Sequence, residues 1–143
     1  MENAYIKLVS ASNKQSMTLN DVKELFNYYK EITSKTGTQL DWEYAETAFP
    51  YQIKEVDTEN NWLYLKSNEP KYNAIIVGVG KELIEDDNVD DPQEQFYIQV
   101  TLPQVATYGD KGKANEFCKF LGKKLEGELH LFNGRVMYYY KRK

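Results

Sequence analysis

A thiol beside an imidazole is the smallest nucleophilic pair a chain can assemble, and this sequence holds one of each, Cys118 and His130. Their neighbours separate them. Cys118 belongs to the series Ala114, Phe117, Cys118, Leu121 and Leu125, whose i, i+3, i+4, i+7, i+11 spacing is the core-facing stripe of a helix. His130 alternates with Leu129 and Leu131, so it points away from any layer packed on those leucines. The pair fails on direction: Cys118 reads as a small core residue and His130 as a strand-surface residue. A zinc site would need several His or Cys ligands at chelating spacing, which one of each cannot supply.

Two motif lookalikes fail by counting. Asp86-x-Asn88-x-Asp90 begins like a calcium loop, but Asp91 stands where glycine is required and Tyr97 where the bidentate glutamate belongs. Gly109-Asp-Lys-Gly112-Lys113-Ala114 has two residues where a phosphate loop has four, and Ala114 in place of the magnesium ligand. It does put Lys111 and Lys113 near a helix N-terminus, a geometry able to hold an anion. Carboxylate pairs such as Asp86 with Asp87 and Glu43 with Glu46 sit in charge-rich stretches without signs of burial, so they carry no acid/base expectation. The sequence thus offers no catalytic constellation, no metal site and no cofactor, and it leans away from an enzyme.

The elements that position these residues follow from periodicity. AYIKLV (4–9) reads as a first strand, with KQSM (14–17) returning beside it. Thr18 and Asp21 form a capping box ahead of Val22, Leu25, Phe26, Tyr29 and Ile32, with Gly37 as the helix stop. A short helix is expected from Asp41 to Pro50, with Leu40 and Ala45 as its staple. The period then turns to two: strands 51–56 and 61–66 around the turn DTEN, a central strand 73–79, and a cleanly alternating strand 96–102. KELIEDDNVDDPQEQ between the last two is expected to be a mobile acidic surface loop. Asp110 is expected to cap the last helix and Gly127 to end it.

In LFNGRVMYYY, Asn133-Gly134 signals a two-residue type I′ hairpin, which pairs Leu131 with Val136, His130 with Met137, and Leu129 with Tyr138. Tyr138 and Tyr140 then join the leucines facing the helices, while Tyr139 looks away. The expected outer face collects Trp62, Tyr64, Tyr97, Gln99, Thr101, His130, Met137 and Tyr139. An apolar patch rimmed by hydrogen-bonding groups is what a partner or ligand surface looks like, although covering helices or plain β-propensity would produce the same pattern.

Residues 1–102 carry nine basic against eighteen acidic side chains, and residues 103–143 nine against four. Mutual neutralisation within one fold accounts for this asymmetry. The basic third lacks an RNP-like signature, and the acidic remainder argues against a nucleic-acid partner. No apolar run approaches a membrane span. MENAYIKLVSAS lacks the basic and apolar regions of a secretory signal, and a lone cysteine agrees with a reducing compartment, so the expected location is the cytoplasm.

YYKEITSKTGTQLDWEYAETAFPY and ATYGDKGKANEFCKFLGKKLEGELHLFNGRVMYYYKR resemble a family of short, uncharacterised bacterial proteins of bacillus type, a domain of unknown function. GDKGKANEF and LFNGR are the most specific words of a similarity that spans nearly the whole chain. The resemblance implies a compact α/β sandwich with an added N-terminal helical segment, and it brings no catalytic residues.

The residues themselves predict one α+β domain over 1–143: a two-layer sandwich with a mainly antiparallel sheet of five to seven strands, the C-terminal helix packed on one face and the N-terminal helices within about 18–49. The expected function is a non-enzymatic interaction module that uses the aromatic sheet face for a protein partner or for homodimerisation. The alternatives are a small-molecule or anion-binding protein, with Lys111 and Lys113 as charge, and an enzyme of unrecognised type.

Overall fold

The structure, a computed structural model, describes residues 1–40, 48–57, 62–85 and 90–141. The expected second helix and the DTEN turn fall largely on residues outside that set, as does the start of the calcium-loop lookalike. The elements are β1 (Glu2–Lys7), α1 (Leu19–Leu40), β2 (Gln52–Asp57), β3 (Trp62–Lys66), β4 (Ala74–Ile84), β5 (Gln93–Leu102), α2 (Tyr108–Leu125), β6 (Glu128–His130) and β7 (Val136–Tyr138). The strands form one antiparallel sheet in the order β2-β3-β4-β5-β1-β6-β7. The protein is an α+β two-layer sandwich. Its first strand is interior: the β2 to β5 meander returns to one side of β1, and the β6–β7 hairpin fills the other.

One face of the sheet makes the core. Ala4, Ile6, Leu63, Leu65, Ile75, Val77, Ile98, Val100 and Leu129 are all buried there, under Val22 and Phe26 of α1 and the expected stripe of α2. Burial at alternate positions is what fixes the register, because a one-residue slip would carry the whole set into water.

Several boundaries differ from expectation for identifiable reasons. Residues 14–17 form no strand. Side chains satisfy that loop instead: Gln15 Nε2 donates to the carbonyls of Val9 (3.0 Å) and Ser12 (3.1 Å), and Asn13 Nδ2 donates to that of Lys124 (2.8 Å). Helix α1 runs through Gly37 to Leu40, since a glycine ends a helix only where the chain turns left-handed. Both ends of the expected acidic loop are strand: Lys81 to Ile84 pair with Phe96 to Gln93. Neither face of that distal hairpin is buried, so no alternation announced it.

At α2 the N-cap is Thr107, and Asp110 is the third helical residue of a capping box. The left-handed C-cap is Glu126, at φ 51°. Gly127 has a different constraint: a Cβ there would lie 3.0 Å from Ile6 Cγ2 and 3.1 Å from the Lys7 carbonyl oxygen, so the close approach of β1 would have to give by a few tenths of an ångström to admit a side chain.

The last hairpin corrects the tyrosine assignment. Gly134 N–H donates to the Leu131 carbonyl (3.0 Å), and Leu131 N–H to that of Arg135 (2.8 Å), so the loop has three residues, Phe132 to Gly134. Only Gly134 in it has positive φ, at +87°, the pattern of a type I turn followed by a left-handed glycine. Asn133 serves by accepting the Arg135 N–H at 2.9 Å. Pairing therefore slips by one, to Glu128 with Tyr138, Leu129 with Met137 and His130 with Val136. Met137 and Tyr139 pack on the core beside Leu129, with the Tyr139 ring against Gly122, while Tyr138 is 47% exposed. Tyr139→Ala should accordingly lower stability by about 2 kcal/mol, a partial version of a buried aromatic truncation. Tyr138→Ala should change it by less than about 0.5 kcal/mol. Urea titrations of the two variants check the order, which the two-residue loop would reverse.

Candidate binding face of the sheet

The face opposite the helices is built row by row from the register, because residues directly paired across strands share a side. One row runs Trp62, Gly78, Gln99, Tyr5, His130, Val136. On one side of it runs Tyr64, Ile76, Thr101, Asn3, and on the other Gly80, Tyr97, Lys7, Glu128, Tyr138. Among the described residues no helix lies over these rows, and Trp62, Tyr64, Ile76, Tyr5, Tyr97 and His130 are each half-buried.

Trp62, Tyr64, Tyr97 and His130 thus share the outer face, but not one spot on it. Four strand spacings separate Trp62 from His130, about 19 Å. Trp62 and Tyr64 border a groove of about 470 Å³ that continues over Ile76 to Asn3, Gln99 and Thr101. Tyr97 lies over the bare backbone of Gly80 and meets Tyr5 edge-on, ring centroids 5.8 Å apart. At the far edge, His130 Nε2 sits 2.8 Å from Glu128 Oε1, the Tyr140 hydroxyl donates to Glu128 Oε2 at 3.3 Å, and Tyr138 and Tyr140 cross at 90°. Met137 and Tyr139 are on the helix side, as the three-residue loop requires. Burial raises the Tyr139 phenol's affinity for its proton, with Arg135 opposing.

Lys111 and Lys113 do not join this face. Both are on α2, where Lys111 Nζ pairs with Glu2 (3.1 Å) and Lys113 Nζ with Glu116 (3.1 Å). The helix N-terminus beside them already holds a carboxylate of its own. Asp110 accepts from the Thr107 N–H at 2.9 Å, and its backbone N–H donates to Thr107 Oγ1 at 3.0 Å. The Asp110 N–H, one of the donors that would greet an anion, is thus spent internally.

Cys118 and His130 lie on opposite sides of the sheet. Burial pushes the Cys118 thiol up to about 12, so at pH 8 roughly one molecule in ten thousand carries the thiolate. Iodoacetamide should therefore leave the folded protein unlabelled and modify it after unfolding in urea, as intact-mass measurement would show.

The outer-face residues that sequence reasoning missed are Tyr5, Asn3, Ile76, Tyr138 and Tyr140. Tyr5 was accessible, alternating between Ala4 and Ile6 in β1. Asn3 and Ile76 acquire meaning only through their cross-strand partners, and Tyr138 and Tyr140 only through the loop length.

A family model described as a domain of unknown function, DUF1885, matches residues 2–141. Among curated proteins none matches. A crystal structure of a protein of unknown function from Bacillus stearothermophilus is similar at 40% identity and a TM-score of 0.55, covering 88% of this chain and 91% of that one.

Proposed function

The chain belongs to the DUF1885 family, a domain of unknown function, and from its open aromatic sheet face we propose that it is a non-enzymatic interaction module that self-associates face to face. The carrying observation is that both described helices occupy one side of a seven-stranded sheet, while the other side presents Trp62, Tyr64, Tyr5, Tyr97, Tyr138 and Tyr140. Aromatic residues of this kind supply contact area at low entropic cost and dominate interface energetics.

Charge on the face favours a second copy over a strongly charged partner. Lys7 is paired with Glu82 at 3.3 Å, and Glu128 is engaged by His130 and Tyr140; Lys54, opposite Tyr64, is an exposed cation toward the β2 edge, so the centres of two identical faces meet without strong like-charge repulsion. Six strand spacings by about five residues give a flat footprint of about 500 Å², which side-chain relief raises toward the roughly 800 Å² per partner of a standard interface. A cytoplasmic setting belongs to the same reading, because a lone buried thiol suits a reducing compartment.

Sedimentation velocity over a concentration series tests this. The wild type should sediment as a dimer where Tyr97→Lys remains a monomer, with urea midpoints that agree between the two. A wild type that stays monomeric at every concentration overturns the proposal. A small-molecule reading is favoured by one specific feature, the groove beside Trp62.

A further inference from the structure

The groove bordered by Trp62 and Tyr64 has the size of a ligand pocket rather than of a packing defect, about 470 Å³ where small-molecule sites run roughly 300–1,000 Å³. Its walls are aromatic and aliphatic, and no charged side chain lines it. An ionised ligand would find no side-chain counter-charge there, and the backbone amine of Met1 at the rim is open to water, so most of the ligand's desolvation would go uncompensated.

The polar end of the groove has a definite hydrogen-bond inventory. Thr101 Oγ1 donates to Asn3 Oδ1 at 2.6 Å, and Gln99 Nε2 donates to Asn3 Oδ1 and to Thr101 Oγ1, each at 3.2 Å. Thr101 is 5% exposed, and its hydroxyl both donates and accepts. The triad leaves the two N–H hydrogens of the Asn3 amide and the Gln99 carbonyl unspent. Exchanging nitrogen and oxygen in both amides reverses the roles of the two residues but leaves the same inventory: one amide offers N–H donors and its neighbour offers a carbonyl acceptor. A purely apolar occupant would strand these groups away from water.

Shape narrows the class further. Trp62 and Tyr64 are two residues apart on one strand, so their side chains leave the sheet on the same side about 7 Å apart, near twice the thickness of an aromatic ring. We propose that this groove binds a small, uncharged, planar molecule that carries a hydrogen-bond donor beside an acceptor, as in a ring-bound carboxamide. The proposal rests on the reading that the outer sheet face is the working surface, and it names a ligand class for one part of that face.

The test uses the full chain, ¹⁵N-labelled, titrated separately with benzamide and with benzoate, which match in shape and differ in charge and donors. Benzamide should shift the Trp62 indole and the Asn3 and Gln99 side-chain amides along one saturable curve, and benzoate should bind at least about tenfold more weakly. Asn3→Leu should weaken benzamide by about tenfold; its urea midpoint should fall somewhat, because the Thr101 hydroxyl loses its acceptor, while the ¹⁵N spectrum shows the fold kept. Equal binding of benzoate, an unaltered benzamide affinity in Asn3→Leu, or no shift at millimolar benzamide would overturn the proposal. Sedimentation of the same samples separates the two readings: benzamide binding by a strictly monomeric protein supports the groove and removes the dimer, whereas a dimer with no benzamide response removes the groove alone.

Discussion

Asp110→Ala is expected to lower the stability of the fold by about 4 kcal/mol, because four donors converge on a carboxylate that has no exposure to solvent. Tyr51 Oη donates to Oδ1 at 2.5 Å, the Asn73 N–H is 3.0 Å from each oxygen, and the N–H groups of Ala74 and Thr107 lie at 3.2 and 2.9 Å from Oδ2. These donors come from the start of β2, the start of β4 and the N-cap of α2, so one side chain ties three segments far apart in sequence. Burial first, and then the bond to Asp110, push the Tyr51 phenol far above its usual range, which keeps it a donor at every accessible pH. Removing the acceptor leaves each donor with an unpaired-group penalty of about 1–3 kcal/mol, partly relieved where water reaches Asn73 and Thr107. Asp110→Asn should recover little, because its amide N–H₂ would face a ring of donors. Tyr51→Phe should cost less, about 1–2 kcal/mol, since the carboxylate keeps its backbone partners.

The comparison that isolates burial is Asp21. It closes the same box at α1, accepting the Thr18 N–H at 2.9 Å while Thr18 Oγ1 accepts its own N–H at 3.1 Å, but in the open. Asp21→Ala should cost about 1 kcal/mol, the usual value for a lost cap. Chemical denaturation followed by circular dichroism measures both variants. Equal midpoints would mean that the four-donor site does not hold the fold together.

These two aspartates also show what could be read in advance and what could not. Thr18-x-x-Asp21 was legible as a cap because an apolar stripe begins right after it, and Thr107-x-x-Asp110 spells the same motif. In the second case the cap is Thr107 and the aspartate is the third helical residue, because the box runs from the threonine. Nothing local says that Asp110 is buried; that follows from Tyr51 and Asn73, brought to it by the sheet order. The helix stripe from Ala114 to Leu125 and the alternation of β5 were readable because each is a local period with one buried side. The outer face was readable at Trp62, Tyr64 and Tyr97, where alternation with buried residues sets the direction. It was misread at Met137 and Tyr139, because Asn-Gly serves both a two-residue and a three-residue hairpin, and one residue of loop length exchanges the faces of the whole strand. The Asn3, Thr101 and Gln99 triad joins the first strand to the fifth, a contact that no local pattern encodes.

Phe117→Ala is expected to cost about 4 kcal/mol, within the range for fully buried aromatic truncations. Its ring is the hub of the core between helices and sheet, with centroids 5.6 Å from Phe26, 5.4 Å from Tyr29, 5.2 Å from Phe49 and 6.0 Å from Tyr51. The contacts with Phe26, Tyr29 and Tyr51 are edge-on, at 74° to 81°, a geometry that adds to plain area burial. Truncation would open a cavity that four rigid rings from two segments cannot close without leaving those orientations, so the cost is not reduced by collapse. Phe117→Leu should recover about half of it, by filling volume without the ring geometry. Phe120→Ala, one turn position away and only half-buried, should cost clearly less, as a urea titration of the three variants would show. The hub lies wholly on the helix side of the sheet, so Phe117→Leu should still self-associate like the wild type in sedimentation. A loss of association in that variant, with the fold intact, would mean that the two faces of the sheet are coupled and that the outer face is not an independent surface.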